Sequence, residues 1–256
     1  MDLHLKDKVI VISGGAKGIG KSISTLLTQE DAIPVLLDKD EAAGDSFVKQ
    51  FPRSHFISLD LNDAFACKKA IEATEKKFGH IDGLVNNAGF NDDIGLEKGT
   101  PQKFIQSLNS NTGHFYYLAH YCLSALKKSK GGIINIASKV AVTGQGNTSG
   151  YAAAKGAILA LTREWAVELL PFSIRVNAVV PAQVLTPLYE YWLSTYPDPE
   201  KKKKEITDMI PLGARMTSAD EIANTVVFLL SDRSSHTTGE WVYVDGGYVH
   251  LNRVLS

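Results

Sequence analysis

The sequence predicts an α/β fold in which seven parallel strands form one sheet with helices on both faces. Short apolar runs recur along the chain, and continuous runs of this kind suit strands buried on both faces of a parallel sheet. Between them lie stretches with apolar residues at helical spacing. The 256 residues could form two small domains or one large one. Because no linker or internal repeat divides them, we expect a single doubly wound, Rossmann-type domain over residues 1–256.

The strands and helices alternate in chain order. The first apolar run, Val9–Ile12, ends in a glycine cluster. The other six predicted strands are Ile33–Leu37, His55–Leu59, Ile81–Val85, Gly132–Ile136, Ile174–Val179 and Trp241–Val244. The predicted helices are Lys21–Glu30, Ala64–Phe78, Gly113–Lys127, Ala152–Leu170 and Ala219–Leu230.

Composition and charge argue against two classes of partner. The chain carries 27 basic and 28 acidic residues, for a formal net charge of −1. This balance gives no electrostatic footprint for nucleic acid or for an anionic membrane. No apolar run approaches the roughly 20 residues that a membrane span requires, and the charged N-terminal residues predict no secretory signal. We therefore expect a cytoplasmic protein that binds neither nucleic acid nor membrane.

The cysteines and histidines indicate no metal site. Cys67 and Cys122 have no motif spacing, which suits buried thiols in a reducing compartment. The seven histidines offer no two-histidine spacing beside a carboxylate. We expect no bound metal.

A glycine-rich turn follows the first strand and precedes a helix. Glycines there permit a tight turn and let backbone N–H groups approach a pyrophosphate at the helix N-terminus. The strand before and the helix after are the context that such a motif requires. The candidate phosphate-binding residues are Gly14, Lys17, Gly18, Ile19 and Gly20.

Asp38 closes the second strand about twenty residues further on, where an acid would hydrogen-bond the adenosine ribose. Its carboxylate would repel a 2′-phosphate, which favours NAD over NADP. Lys17 and Lys39 could neutralise such a phosphate, so NADP stays open. The alternative for Asp38 is a turn residue at the end of a strand.

The next two strands end in residues suited to the same cofactor. Asp60 and Leu61 follow the third strand, where a short polar side chain could face the adenine. Asn87, Ala88 and Gly89 follow the fourth, and small residues there leave room for the cofactor. Such residues also end strands for local reasons, so neither set indicates a cofactor site by itself. Their order along the chain, after the glycine turn and Asp38, is what supports a shared cofactor site.

A candidate catalytic set of four residues lies in the second half of the predicted strand–helix pattern. Ser138 lies just past the fifth strand, and Tyr151 and Lys155 share one face of the next helix at i, i+4 spacing. All three lie where open α/β sheets bind ligands, at the carboxyl ends of the strands. Asn111 could bind a water that passes a proton onward, or it could cap the helix that begins there.

The chemistry of hydride removal from an alcohol explains this set. A base must take the hydroxyl proton, and a free tyrosine titrates near ~10. We expect the Lys155 ammonium to favour the phenolate of Tyr151 and so lower its pKa, and to hold the nicotinamide ribose. Ser138 can hydrogen-bond the reacting oxygen.

In this order the residues resemble the short-chain dehydrogenase/reductase family, from Lys6 to about Tyr248. The family's Asn-Asn-Ala-Gly motif is intact at 86–89, and Ser13 replaces its usual threonine. The resemblance implies a catalytic tetrad of Asn111, Ser138, Tyr151 and Lys155, with Tyr151 and Lys155 also contacting the nucleotide.

The resemblance extends to the segment after the sixth strand. There the family usually has Pro-Gly followed by a threonine, and this chain has Pro181, Ala182 and then Thr186. The resemblance implies that Val184, through its backbone, and Thr186 bind the nicotinamide carboxamide. It also implies a homotetramer.

A narrower similarity is to the L-fucose dehydrogenase branch, carried by residues 141–151, 187–189 and 235–241. It implies oxidation of the anomeric hydroxyl of an L-fucose-like sugar to the lactone. Polar side chains near the expected pocket suit a polyol. The candidate substrate contacts are Ser138, Gln145, Asn147, Tyr151, Gln183 and Trp192, with His114 nearby.

The stretch Pro181–Pro211 breaks the strand–helix rhythm. It is rich in proline and aromatic residues and contains no convincing strand, so we expect a substrate lid over about residues 186–211. Tyr189, Tyr191 and Trp192 could stack on a sugar ring or simply pack the lid. Lys201–Lys204 reads as a solvated helix face.

Two other functions stay open. The same chemistry could act on another secondary alcohol or ketone, of the steroid or 3-oxoacyl type, which the apolar lid residues favour. A dinucleotide-binding sensor without catalysis would use the same fold, although such proteins are expected to lose the tyrosine or the lysine.

Overall fold

The computed structural model describes residues 1–251, and the predicted seven-stranded parallel sheet is present. Its strands are β1 (Val9–Ser13), β2 (Ile33–Asp38), β3 (His55–Ser58), β4 (Gly83–Asn86), β5 (Gly132–Ile136), β6 (Arg175–Pro181) and β9 (Trp241–Val244). Their order is β3-β2-β1-β4-β5-β6-β9, and every pairing is parallel. The order reverses between β1 and β4, which is where doubly wound sheets bind ligands.

Ten helices accompany the sheet in the part of the chain that the structure describes. They are α1 (Gly18–Gln29), α2 (Glu41–Gln50), α3 (Ala64–Phe78), α4 (Pro101–Leu108), α5 (His114–Ser129), α6 (Val140–Thr143), α7 (Ser149–Leu169), α8 (Pro187–Ser194), α9 (Pro199–Thr207) and α10 (Ala219–Leu230). A two-residue pair, β7 (Val184–Leu185) with β8 (Thr217–Ser218), lies outside the main sheet.

Alternation along β1 shows how the sheet separates two cores. Val9 and Val11 face the cluster built from α3, α5 and α7. Ile10 and Ile12 face the opposite cluster, built from α1 and α10. Successive strand residues point to opposite faces, so a continuous apolar run is what a strand covered on both sides requires.

The sequence predictions missed the short elements. Neither α2 nor α4 was predicted, although each has a capping residue, Asp40 and Thr100 respectively. The lid stretch also contains β7, although no strand was expected there. A two-residue strand is too short to show a periodic pattern in the sequence. Its pairing partner also lies some thirty residues away, so no local hairpin signal marks it.

Two further predictions, the solvated helix face and the buried thiols, are confirmed. Lys201–Lys204 lie on α9, and Lys202 and Lys204 pair with Glu205 and Asp208. Cys67 and Cys122 are free and buried. Within residues 1–251, no helix is long and apolar enough to cross a membrane.

Candidate active site

The glycine-rich turn packs tightly against the start of α1. The Gly14 N–H donates to the Leu37 carbonyl at 2.7 Å, and Gly14 has a φ of +64°, which glycine adopts at little cost. A Cβ at position 20 would lie 2.0 Å from the Gly14 carbonyl oxygen. Only glycine at position 20 lets the helix terminus approach the turn this closely.

Ser13 joins this turn to the end of β4. Its hydroxyl oxygen accepts the N–H groups of Asn87 (2.9 Å) and Ala88 (3.1 Å). The Asn87 amide donates in return to the carbonyls of Ser13 and Gly14. The turn and the Asn87–Gly89 segment therefore form one rigid surface at the carboxyl edge of the sheet. No site role was predicted for Ser13, although its hydroxyl, at the position of the family's usual threonine, was the available signal.

Asp38 faces the same surface. Its carboxylate accepts the N–H groups of Ala16 and Asp40, each at 3.2 Å, which fixes it beside the turn. Lys17 forms an ion pair with Asp40, and the hydrogen bond to Asp40 raises the pKa of the lysine. Asp40 therefore competes with any phosphate for Lys17, which the sequence did not reveal.

Asp60 and Leu61 lie beyond the end of β3, at the edge of the sheet. Asp60 is exposed, and one carboxylate oxygen accepts the backbone and side-chain N–H groups of Asn62 at 3.0 and 2.9 Å. Leu61 packs against the core. The exposed carboxylate is thus available at the place expected for the adenine.

Asn111 lies in a π-helical turn, Asn109–Gly113, that joins α4 to α5. Its side chain is fully buried, accepts the Phe90 N–H at 2.8 Å and donates to the Ser107 carbonyl at 3.1 Å. The helix continues through Asn111, so the capping alternative is wrong. π-Turns inside helices occur frequently at functional sites.

Lys155 reaches from α7 to the ends of the strands. Its ammonium donates to the Ile136 carbonyl at 2.8 Å, and the side chain is 2% exposed. A Cβ at position 89 would lie 3.3 Å from Lys155 Nζ and 3.1 Å from Asn111 Oδ1. The absence of a side chain at Gly89 therefore lets these two groups come together.

Tyr151 lies one helical turn before Lys155, and Lys155 Nζ is 5.5 Å from the centre of its ring. Burial raises the pKa of Tyr151 to about 12, and a hydrogen bond with Ser138 opposes this shift. Burial also lowers the pKa of Lys155 to about 7. Ser138 itself is 9% exposed at the end of β5.

These pKa shifts correct the expectation that Lys155 lowers the pKa of Tyr151. Desolvation disfavours the charged form of each group, and at Tyr151 it outweighs the hydrogen bond with Ser138. The structure brings Ser138, Tyr151, Lys155 and Asn111 to one place, but it holds the phenol in its neutral, proton-bearing form at neutral pH.

The segment after β6 lies across from the glycine turn. Thr186 caps α8 by accepting the Tyr189 N–H at 3.2 Å, and a Cβ at Gly18 would lie 3.7 Å from its methyl group. Val184 is buried in β7. Lid and turn therefore face each other across the point where the sheet order reverses.

The predicted substrate contacts are less uniformly placed. Gln183 is half-buried and accepts the Tyr189 hydroxyl at 2.9 Å, and Trp192 on α8 is 38% exposed. Gln145 and Asn147 are exposed on the loop before α7. His114 is buried instead, with Nε2 3.1 Å from the Ala88 carbonyl, and burial lowers its pKa to about 4. It supports the Asn87–Gly89 segment from behind.

The surface just described suits a dinucleotide. Glycines at 14, 18 and 20 bring backbone close to where a pyrophosphate would lie, and Asp38 stands beside them. Lys155, Tyr151 and Thr186 lie further along the same edge. Hydride chemistry needs a proton acceptor beside the reacting carbon, and Tyr151 with Ser138 can serve there.

Comparison with known proteins gives consistent matches over nearly the whole chain. A family model described as Enoyl-(Acyl carrier protein) reductase matches residues 14–249. The L-fucose dehydrogenase of Bos taurus is 35% identical over 248 residues, covering 96% of this chain and 91% of that protein. The 3-oxoacyl-acyl-carrier-protein reductase of Thermotoga maritima is 34% identical over 252 residues, covering 96% of this chain and 100% of that protein.

Solved structures match equally well. One dehydrogenase is 44% identical with a TM-score of 0.97, covering 100% of this chain and 99% of that chain. A 3-ketoacyl-acyl-carrier-protein reductase of Brucella melitensis, complexed with NADH, is 29% identical with a TM-score of 0.86, covering 96% and 99% of the two chains. The L-sorbose reductase of Gluconobacter frateurii, complexed with NADPH and L-sorbose, is 27% identical with a TM-score of 0.91, covering 98% and 100%.

Proposed function

The chain belongs to the short-chain dehydrogenase/reductase family, and from that membership we propose that it oxidises the anomeric hydroxyl of an L-fucose-like aldose to the lactone, with NAD as hydride acceptor. An oxidoreductase acting on CH–OH groups is the broader class. The observation that carries the proposal is the convergence of Ser138, Tyr151 and Lys155 beside Gly89, on the same edge of the sheet as the glycine turn.

The cofactor is a nicotinamide dinucleotide, consistent with the NADH and NADPH bound by the two structural relatives. Preference for NAD is supported by Asp38, whose carboxylate lies at the end of β2 where a 2′-phosphate would approach. Lys17 would neutralise little of that phosphate's charge, because the lysine is already paired with Asp40. NADP remains the alternative, since Lys39 is exposed beside both acids.

Each catalytic residue has a distinct task. Ser138 donates to the substrate hydroxyl oxygen and fixes it beside Tyr151, which removes its proton. A bound nicotinamide would supply the hydride acceptor and, in its oxidised form, a positive charge. That charge would favour the phenolate, which the protein alone does not. Lys155 would hold the nucleotide ribose, and Asn111 keeps the loop at Phe90 in place.

The sugar assignment is supported by likeness to L-fucose dehydrogenase and by three polar side chains. Gln183 is hydrogen-bonded to Tyr189 of the lid, and Gln145 and Asn147 are exposed on the loop before α7. The test mixes the protein with NAD and a panel of aldoses and follows the absorbance of NADH. Turnover of L-fucose, L-galactose or D-arabinose is expected. No turnover of any aldose, together with turnover of another alcohol, overturns the sugar and keeps the class.

A second candidate is reduction of a 3-oxoacyl or steroid ketone. It is favoured by exposed apolar lid residues, Leu188 at 67% and Tyr191 at 70% exposed, and by the 34% identical acyl-carrier-protein reductase. Consumption of NADH or NADPH with acetoacetyl thioesters or steroid ketones distinguishes it from the aldose reaction.

Assembly and location complete the proposal. We propose a cytoplasmic homotetramer built through α5 and α7, where Tyr116 and Val167 leave 55% and 66% of their surfaces exposed. Multi-angle light scattering gives the mass directly. A monomer would remove the assembly and leave the reaction untouched.

A further inference from the structure

Lys139, the residue after Ser138, has a backbone that is fully fixed. Its N–H donates to the Pro181 carbonyl at 2.9 Å, and its carbonyl accepts the N–H groups of Val142 and Thr143 at 2.9 and 3.0 Å. The direction of its side chain is therefore set by the ends of β5 and β6. These are the same elements that position Ser138.

The side chain runs inward. It is only 5% exposed, and its ammonium lies 4.4 Å from the centre of the Tyr248 ring. Among the residues that the structure describes, no carboxylate lies within ion-pair distance of it. A buried charge is ordinarily paired or hydrogen-bonded, because its desolvation is otherwise costly.

The ammonium is also within reach of a ligand. Over residues 1–251, the fully enclosed side-chain atoms that lack a partner are Asn86 Oδ1 and His114 Nδ1. Lys139 Nζ is not one of them, so its tip keeps contact with solvent, as long charged side chains commonly do. The nearly buried stem thus ends in a cation that is not fully enclosed by the protein.

The ring beside this ammonium belongs to the apolar cluster of the lid. Tyr248 packs with Leu193 and Tyr189 of α8 and with Ile210 and Met216. Tyr189 in turn binds Gln183. Lys139 therefore stands between the Ser138 strand end and the underside of the lid, where a substrate held by Ser138 would extend.

We propose that Lys139 is a specificity-determining residue, whose ammonium donates a hydrogen bond to a hydroxyl oxygen of the substrate other than the reacting one. The ring of Tyr248 stabilises the cation in the absence of substrate, and an ammonium has three donors to offer. The hydroxyl oxygens of a polyhydroxylated ring can accept hydrogen bonds from these donors. A hydrocarbon substrate has no oxygen to accept them and leaves the Lys139 charge buried without a hydrogen-bond partner. The inference rests on the proposed function and names the feature that selects a sugar.

The test compares Lys139→Met, Lys139→Gln and wild type with the best aldose of the panel and with cyclohexanol, a secondary alcohol with no second hydroxyl. For Lys139→Met we expect KM for the aldose to rise about 10- to 100-fold, the range for hydrogen bonds to charged groups, while kcat changes less than about 3-fold. Lys139→Gln, which keeps a donor, should recover part of the loss. Turnover of cyclohexanol should not fall, because this substrate offers the ammonium no second oxygen. Lys128→Met, at an exposed lysine on α5, is the matched control.

Each outcome decides a separate point. An unchanged KM for the aldose in both variants overturns the role of Lys139 while wild-type turnover keeps the proposed function. An equal loss with aldose and cyclohexanol assigns Lys139 a structural role and also overturns it. The uronic acid of the same sugar series is the last arm, because a marked preference for it identifies a carboxylate as the group that Lys139 binds. If wild type oxidises cyclohexanol but no aldose or uronic acid, the proposed function and this inference fail together.

Discussion

The two sides of the candidate site are built in different ways. The glycine-turn side, from Ser13 to Gly20 with Asn87–Gly89, is held by backbone hydrogen bonds and contacts that only glycine permits. The lid side, α8 and α9, has its own small apolar cluster and exposes large residues such as Leu188 and Tyr191. Backbone recognition suits a ligand that does not vary, whereas exposed side chains can change with the substrate.

The proposed catalytic residues belong to the rigid side, although the substrate they would act on lies under the lid. Lys155 and Asn111 meet at Gly89 and anchor to main-chain groups. A substitution on the rigid side should therefore affect every substrate equally, and one on the lid should affect substrates selectively. The following experiments test that division, from the largest expected effect to the smallest.

Tyr151→Phe removes the proton acceptor and leaves the ring in place. We expect kcat for oxidation to fall by about 100- to 10,000-fold, the usual contribution of a general base, for aldose and simple alcohol alike. NAD affinity, measured by calorimetry, should change little. Tyr116→Phe, at an exposed ring, is the control. Survival of most of the rate in Tyr151→Phe would assign the proton to another group.

The pH dependence should follow the phenol. Burial raises the pKa of Tyr151 to about 12, so the proton-accepting form is scarce at neutral pH and increases as pH rises. The kcat/KM for oxidation should therefore climb from pH 7 upward, by at most about tenfold per pH unit for one proton, and reduction should show the opposite trend. Ser138→Ala should move the profile to higher pH, because the hydrogen bond with Ser138 lowers that pKa. A flat profile in wild type contradicts this assignment.

Gly20→Ala places a methyl group against the Gly14 carbonyl. Because overpacking of this kind typically costs about 1–3 kcal/mol, we expect a lower free energy of unfolding in urea together with weaker NAD binding. Gly156→Ala on α7 is the matched control, since a Cβ there meets nothing within 4 Å. It should be neutral or stabilising. Equal effects at the two positions would show that the turn tolerates a side chain.

Asp40→Asn should widen the cofactor choice. Asparagine keeps the cap on α2 but releases Lys17 from its ion pair. The kcat/KM with NADP should rise by about 2- to 5-fold, in keeping with an exposed pair, while the value with NAD stays constant. Asp38→Asn provides the comparison, because it removes the repulsive carboxylate itself. A gain with NAD instead would place Lys17 elsewhere in the binding surface.

Tyr191→Ser should change substrate preference without changing the stability of the protein. Tyr191 is 70% exposed, so the free energy of unfolding should stay within about 0.5 kcal/mol of wild type. KM should change for one substrate and not for another. Uniform changes across substrates would mean that the lid belongs with the rigid side.

The sequence was sufficient for the parts of the molecule that repeat a physical pattern. The strands that are buried on both faces were recognisable as continuous apolar runs. The predicted bounds of α3 and α10, Ala64–Phe78 and Ala219–Leu230, are the observed ones. The glycine turn and the proposed tetrad were predicted from spacing and family resemblance, and the structure brings the four side chains of the tetrad to one place. Spacing works there because helix geometry fixes which residues share a face.

What the sequence could not supply depends on three-dimensional contact. The pairing of Lys17 with Asp40, the burial of Lys139 and the link between Tyr189 and Gln183 join residues that no periodicity connects. The sign of the Tyr151 pKa shift was wrong for a similar reason. Spacing showed that a cation stood nearby, but the extent of desolvation depends on everything packed around the pair.

The π-turn at Asn109–Gly113 makes the continuous helix from α4 to α5 sensitive to its number of residues. Each residue advances an α-helix by about 100°, so deleting one residue here would restore ordinary winding and swing the Asn111 amide away from the Phe90 N–H that it now accepts. The apolar stripe of α5 would be turned out of phase with the sheet. The extra residue in this short segment therefore sets the rotation of α5 relative to α4 about their common axis.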